Sequence, residues 1–204
     1  MKIRHHQGDL PVPHAGISSI AIDTEAMGLQ YPRDRLCVVQ MSTGDGSVDI
    51  VQIARGQREA PHLQALLADP AVEKIFHYAR FDMGILRATF GVMPAPVYCT
   101  KIASKLVRTY TDRHGLKELA RELVGEDISK QQQSSDWGSP SLSDAQLTYA
   151  ASDVLYLHRI RDVLTGMLER EERLALAREI FAFLPTRVTL DLAGWPETDI
   201  FAHS

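Results

Sequence analysis

ISSIAIDTEAMGLQYPRDRLCVVQMSTGDGSVDIVQI, residues 17–53, decides the fold. It contains three apolar, β-branched runs, Ile17–Ile22, Leu36–Met41 and Val48–Ile53, which read as strands. Turn-prone residues separate them: Gly28 to Arg33 first, then Gly44–Asp45–Gly46, a tight hairpin turn. A three-stranded antiparallel meander is the simplest arrangement.

Downstream the pattern changes. Pro61–Ala68 reads as helix, Val72–Phe76 as a short buried strand, and Phe81–Phe90 as a helix stopped by Gly91. A brief strand at Val97–Tyr98 precedes a helix over Lys101–Val107, and Leu116–Leu123 reads as a helix ending at Gly125. Ser143 with Gln146 three residues on has the spacing of a capping box, so a long helix is expected from there through Leu164. Another is expected from Gly166 to about Phe183, and the tail after Pro185 has little helical pattern. Strands first, then helix–strand alternation, then helices describes an α/β domain with a mixed five-stranded sheet flanked by helices.

A length of 204 residues suits one hydrophobic core, and no repeat or linker divides the chain. The expectation is a single domain over 1–204, with a core at about 17–165 and a C-terminal helix and tail at 166–204. Apolar residues make up 45% and charged residues 24%, an ordinary globular balance. No run approaches the ~18 consecutive apolar residues of a membrane span, and the polar start MKIRHHQGDLPVPH lacks a signal-peptide core. Cys37 and Cys99 form neither a disulfide framework nor a zinc pair, so a cytoplasmic location without membrane partners is expected. The net charge of −4 gives no general basic surface for long nucleic acid. A nucleic-acid substrate would therefore be short and held by a few local charges.

Three segments carry chemistry. In IAIDTE, Asp23 and Glu25 are two residues apart on a strand and project to one side. Such a pair needs raised pKa values or a divalent cation between them. The bland alternative is a turn cap beside a solvated acid. In FHYARFD, Asp82 opens a helix, where the macrodipole alone favours an acid, and taken singly it reads more readily that way. In LTYAASDVLYL, Tyr149 and Asp153 share one helix face, and an acid in so apolar a stretch needs a partner.

Together, Asp-x-Glu at a strand end, then Phe-Asp, then Tyr-x-x-x-Asp on a late helix resembles the three motifs of the DEDD exonucleases. Thr148 stands where the His-bearing subgroup has its histidine, so the resemblance is to the tyrosine-bearing, ribonuclease D-like subgroup. YPRDRLCVVQMS, CTKIASKL and HGLKELARELVG with SDW extend it from about Ile17 to Ile160. Too few residues follow Asp153 for the C-terminal helical nucleic-acid-binding domains of full ribonuclease D. HQGDLP, DRLCVVQ, TYTDRHGLKE, ISKQQQSSDW and the ending DIFAHS resemble the compact nanoRNase C dinucleotidases more closely.

That resemblance implies an RNase H-like (DnaQ-like exonuclease) fold and a ring-shaped homo-octamer. It also implies 3′→5′ hydrolysis of very short RNA, especially 5′-phosphorylated dinucleotides, to nucleoside 5′-monophosphates. Asp23, Glu25, Asp82 and Asp153 would hold two divalent ions, Mg²⁺ or Mn²⁺, which suit oxygen-only ligands. Tyr149, with a reference pKa of ~10, would orient the attacking water rather than act as a strong base.

Further positions are candidates for substrate contact. Leu29 reads equally as a wedge against bases or as a core leucine. His77 and Arg80 precede Asp82 and could meet phosphate or sugar. Lys101, Lys105 and Arg108 recur at helical spacing, usually no more than a solvated face. In KQQQSSDW, Lys130, Gln133 and Ser134 suit a 5′-phosphate, whereas Trp137 reads somewhat better as core than as a stacking platform. Two competing functions remain: a general 3′→5′ exonuclease trimming longer RNA or DNA, and an inactive RNA-binding scaffold. The scaffold would have lost a carboxylate, and none is lost. RNA and DNA are not separable at this level, because the difference lies in contacts to the 2′-hydroxyl.

Overall fold

The computed structural model describes residues 1–204 except Pro13, Ala15, Pro32, Lys130 and Ser204. Its sheet begins with β1 (Lys2–Gln7), β2 (Ser19–Ala26), β3 (Leu36–Ser42) and β4 (Ser47–Gln52). It is completed by β5 (Glu73–Phe76) and β6 (Val97–Cys99). The spatial order is β1-β4-β3-β2-β5-β6. β2, β3 and β4 form the expected antiparallel meander, whereas β1 joins β4, and β5 joins both β2 and β6, in parallel. Gly44 and Gly46 turn the β3–β4 hairpin with φ of +85° and +82°, a region open to glycine without strain.

The sheet therefore has six strands, not five. β1 escapes a hydrophobicity reading because KIRHHQ is polar: it is an edge strand, held by backbone pairing to β4 and by Arg4 and His6 on the Asp49 carboxylate. β3 and β4 are buried along their whole length, as expected of central strands covered on both faces.

The helices are α1 (Pro61–Ala68), α2 (Ala79–Phe90), α3 (Thr100–Val107), α4 (Leu116–Leu119), α5 (Asp144–Leu155), α6 (Leu157–Arg170) and α7 (Leu174–Leu192). A π-helical stretch, Ala120–Val124, extends α4 and stops at Gly125 in the left-handed region. Gly91 ends α2 in the same way, and Ser143 and Gln146 form the expected capping box on α5.

The late helices depart from the sequence expectation. The helix expected through Leu164 breaks at Tyr156, where no Gly or Pro marks the change and the apolar periodicity runs on. Gly166 lies inside α6 instead of between helices, and the real turn passes through Glu172 at φ +55°. Pro185 does not end the last helix, since α7 continues to Leu192 with the proline inside it. An internal proline costs about 3 kcal/mol; burial of Phe181, Leu184, Val188 and Asp191 on either side of it opposes that penalty. Among the described residues, no helix is long and apolar enough to cross a membrane.

Candidate active site

β2 carries Asp23 and Glu25 to the point where a bulge between Glu25 and Ala26 releases the strand into the 27–35 loop. Asp82 lies in the first turn of α2, and Tyr149 and Asp153 lie one turn apart on α5, which packs across β2, β3 and β4. The three elements converge, so that carboxylate oxygens of Asp23, Glu25 and Asp153 all lie within 4.8 Å of one another. Asp82 joins them through the chain itself: the Thr24 hydroxyl, between the two β2 acids, donates to Asp82 Oδ1 at 2.7 Å.

Electrostatics mark this cluster as unusual. Burial first, opposed by hydrogen bonds from the Thr24 backbone and Gln40, pushes Asp23 up to about 7. Burial and then repulsion from Asp23, Asp153 and Asp82 push Glu25 up to about 10. Asp153 is raised to about 8 by burial and Asp23, with the Tyr149 hydroxyl pulling it partly back. Asp82 is raised well above the carboxylate range by burial and by Asp23. Tyr149 is pushed far above its ordinary value by burial and the neighbouring acids, and keeps its proton. Among the described residues none of the four carboxylates pairs with a lysine or arginine. An all-oxygen donor set of this charge fits hard divalent cations.

The cleft above the acids encloses about 870 Å³. Leu29, His77, Gln133, Ser134 and Trp137 line it. Leu29 is 81% exposed, which removes the core-leucine reading. His77 pairs through Nδ1 with Thr100 Oγ1 at 2.9 Å. Trp137 is buried, its ring 6.0 Å from that of Tyr149, so it packs as core while closing one wall. Arg80 is not at the cleft: its guanidinium lies on Asp191 of α7 at 2.6 and 2.8 Å. Lys130 lies outside the described residues.

The basic stripe on α3 is not uniformly solvated either. Lys101 lines the cleft with Nζ 4.5 Å from the Tyr78 ring centroid, whereas Arg108, just past α3, is fully buried against Glu122 and the Arg113 carbonyl.

Sequence reasoning missed Gln40 and Thr24. Gln40 is fully buried and faces Asp23 across the β2–β3 ladder, donating from Nε2 to Oδ2 at 2.6 Å. The signal was present: a glutamine in the middle of LCVVQM must find a polar partner. Tyr78 and Lys117, also in the cleft, had no such signal. A larger cavity of about 1150 Å³, between β6, α6 and α7, contains none of the four acids, so chemistry rather than size selects the site.

Residues 10–169 match a family model described as 3′-5′ exonuclease. Ribonuclease D of Granulibacter bethesdensis is 38% identical over 165 residues, 81% of this chain and 41% of that protein. The chain thus spans about two fifths of the length of that curated relative. Brucella melitensis NrnC bound to pGG superposes with a TM-score of 0.97 at 59% identity, covering 100% of both chains. The same protein with bound Mg²⁺ gives 0.96 at 58% identity, again over 100% of both.

Proposed function

The chain belongs to the 3′-5′ exonuclease family, alongside ribonuclease D, and from that premise we propose that it hydrolyses very short RNA, above all 5′-phosphorylated dinucleotides. The products would be nucleoside 5′-monophosphates. The observation that carries this reading is the likeness, over the full length of both chains, to a relative bound to pGG. The cleft of about 870 Å³ has room for a substrate of few nucleotides.

Asp23, Glu25, Asp82 and Asp153 would hold two divalent ions, Mg²⁺ or Mn²⁺, in this reading. Bound there, the cations would supply Lewis-acid charge to the phosphodiester undergoing displacement. The chain's own groups do the rest. Gln40 and Thr24 each hold one oxygen of a carboxylate, Asp23 Oδ2 and Asp82 Oδ1, and so fix the orientation of both acids. Tyr149 keeps its proton and donates it in a hydrogen bond to Asp153, so its hydroxyl oxygen is left to accept a hydrogen bond from the incoming water and orient it, and it does not serve as the base. Leu29 stands exposed at the mouth to press against the bases, and Lys101 and His77 supply polar contacts to the phosphodiester. Lys130, Gln133 and Ser134 receive the 5′-phosphate, the moiety that distinguishes a dinucleotide end from the middle of a longer strand.

The family resemblance also supports a homo-octamer acting in the cytoplasm, each copy a single catalytic domain over 1–204. Native mass spectrometry reads the stoichiometry directly.

The test is a time course with Mg²⁺ or Mn²⁺ on 5′-labelled pGG and, in parallel, a 5′-labelled heptamer. Rapid loss of pGG with the heptamer barely touched is the expected outcome. A ladder receding from the 3′ end at comparable rates would make this a general exonuclease. Absence of cleavage with metal present, matched by an inert Asp23→Ala variant, would favour a binding scaffold.

A further inference from the structure

Asp191, near the end of α7, is the most heavily engaged carboxylate outside the catalytic cluster. Its side chain is fully buried, and two guanidiniums converge on it. Arg80 donates through Nε and Nη2 at 2.6 and 2.8 Å, and Arg187 through Nη2 and Nε at 2.7 and 3.1 Å. A third donor reaches it from a different part of the chain: the hydroxyl of Tyr31, at 3.3 Å.

Tyr31 belongs to the loop that carries Leu29. The loop leaves β2 two residues after Glu25, and its ends are closed by Met27 N–H on the Arg35 carbonyl at 3.0 Å. Inside it the Asp34 carboxylate accepts the Gln30 N–H at 2.9 Å. Those bonds shape the loop without attaching it to the body of the protein. Arg35 fastens its far end to the Gly138 carbonyl at 3.0 Å, and Tyr31 fastens the part that carries Leu29. Its ring lies over Gly84 of α2 so closely that a Cβ there would come within 2.4 Å of it, and it packs at 6.0 Å from Phe81, a residue of the cleft floor. Gly84 is required by this close approach.

The same carboxylate therefore ties three pieces together: the wedge loop through Tyr31, the first turn of α2 through Arg80, and α7 through Arg187. The tail is fastened at the same point, since Arg80 donates to the Pro196 carbonyl at 2.6 Å and Arg187 to that of Trp195.

We propose that Asp191 and Tyr31 are positioning residues for substrate: through Tyr31 they set where Leu29 stands over the catalytic carboxylates, and the C-terminal helix thereby tunes substrate binding. The inference rests on the reading of Leu29 as a substrate wedge. Burial and the Asp191 charge hold the Tyr31 hydroxyl at about 12, so it remains a donor throughout the working pH range.

Tyr31→Phe tests this, because it keeps the ring over Gly84 and removes only the hydroxyl. Kinetics are measured on pGG and on a heptamer, with Mn²⁺ titrated by calorimetry. On whichever substrate the wild type turns over, KM should rise about fivefold, the effect of one lost hydrogen bond. The value of kcat should stay within about twofold and Mn²⁺ affinity should not move, the pattern of lost binding rather than lost chemistry.

Leu29→Ala should raise KM by itself, and adding Tyr31→Phe should then change nothing further, since there is no wedge left to place. An unchanged KM in Tyr31→Phe beside a raised one in Leu29→Ala overturns the positioning role alone. So does additivity of the two substitutions, or a joint fall of kcat and Mn²⁺ affinity, which would mean that the network merely supports Asp82. A wild-type KM in Leu29→Ala removes the wedge reading beneath it.

Discussion

Replacing Gln40 by leucine removes a buried side-chain amide that touches the Asp23 carboxylate. Gln40 is fully buried on β3, and among the described residues its side chain makes one hydrogen bond, the 2.6 Å donation from Nε2 to Asp23 Oδ2. Its Oε1 is buried without a partner, so leucine of similar volume removes no other hydrogen bond. The bond favours the ionised carboxylate against the burial that pushes Asp23 up to about 7. A hydrogen bond to a charged group contributes about 1.5–3 kcal/mol net. Cations bind only the ionised form, so that energy passes to their affinity as roughly a 10- to 100-fold loss, the range found for residues that orient metal ligands. Calorimetric titration with Mn²⁺, together with the Mg²⁺ concentration for half-maximal cleavage of pGG, reads the effect. Equal Mn²⁺ affinity in the two proteins would refute the argument that Gln40 prepares Asp23 for a cation.

Four further outcomes are expected. With Asp23 near 7, Asp153 near 8 and Glu25 near 10, the metal-free folded site holds protons that the unfolded chain has lost above its carboxylate pKa values of ~4. The contribution of these acids to the stability of the metal-free protein should therefore fall as pH rises from about 4 through about 10. Mg²⁺ binding at pH 7 should release protons, and calorimetry in buffers of different ionisation heat that finds no release would refute this. Thr24→Val removes the 2.7 Å bond to Asp82 and should weaken Mn²⁺ binding about tenfold, with Thr24→Ser restoring it. Lys74 is fully buried, with Nζ donating to the carbonyls of Ala95 (at 2.8 Å) and Asp69, and burial lowers its pKa to about 8. The unfolded chain then binds the extra proton between about 8 and about 10, so the Lys74 contribution to stability rises with pH across that window, opposite in sign to that of Glu25. Urea denaturation of Lys74→Met should lose this dependence.

The sequence by itself determined the features whose cause is local. Alternating turn residues and β-branched runs gave the β2–β4 meander; Gly44 and Gly46, Gly91, Gly125 and the Ser143 capping box ended or began their elements where expected. That Asp23 and Glu25 share one face, and Tyr149 and Asp153 another, was legible because spacings of two and four translate directly through strand and helix geometry, whereas their joining with Asp82 was expected from the family resemblance. The tertiary structure decided whatever depends on a distant partner. β1 is polar and becomes a strand only because β4 offers it a free edge. Pro185 stays inside a helix because the residues around it are buried against the rest of the fold. Arg80, two residues from a catalytic acid, turns to a carboxylate 111 positions away, and Arg108 is drawn from the α3 stripe into the interior by Glu122. A long side chain reaches whichever opposite charge packing brings close, and local sequence contains no record of that neighbour.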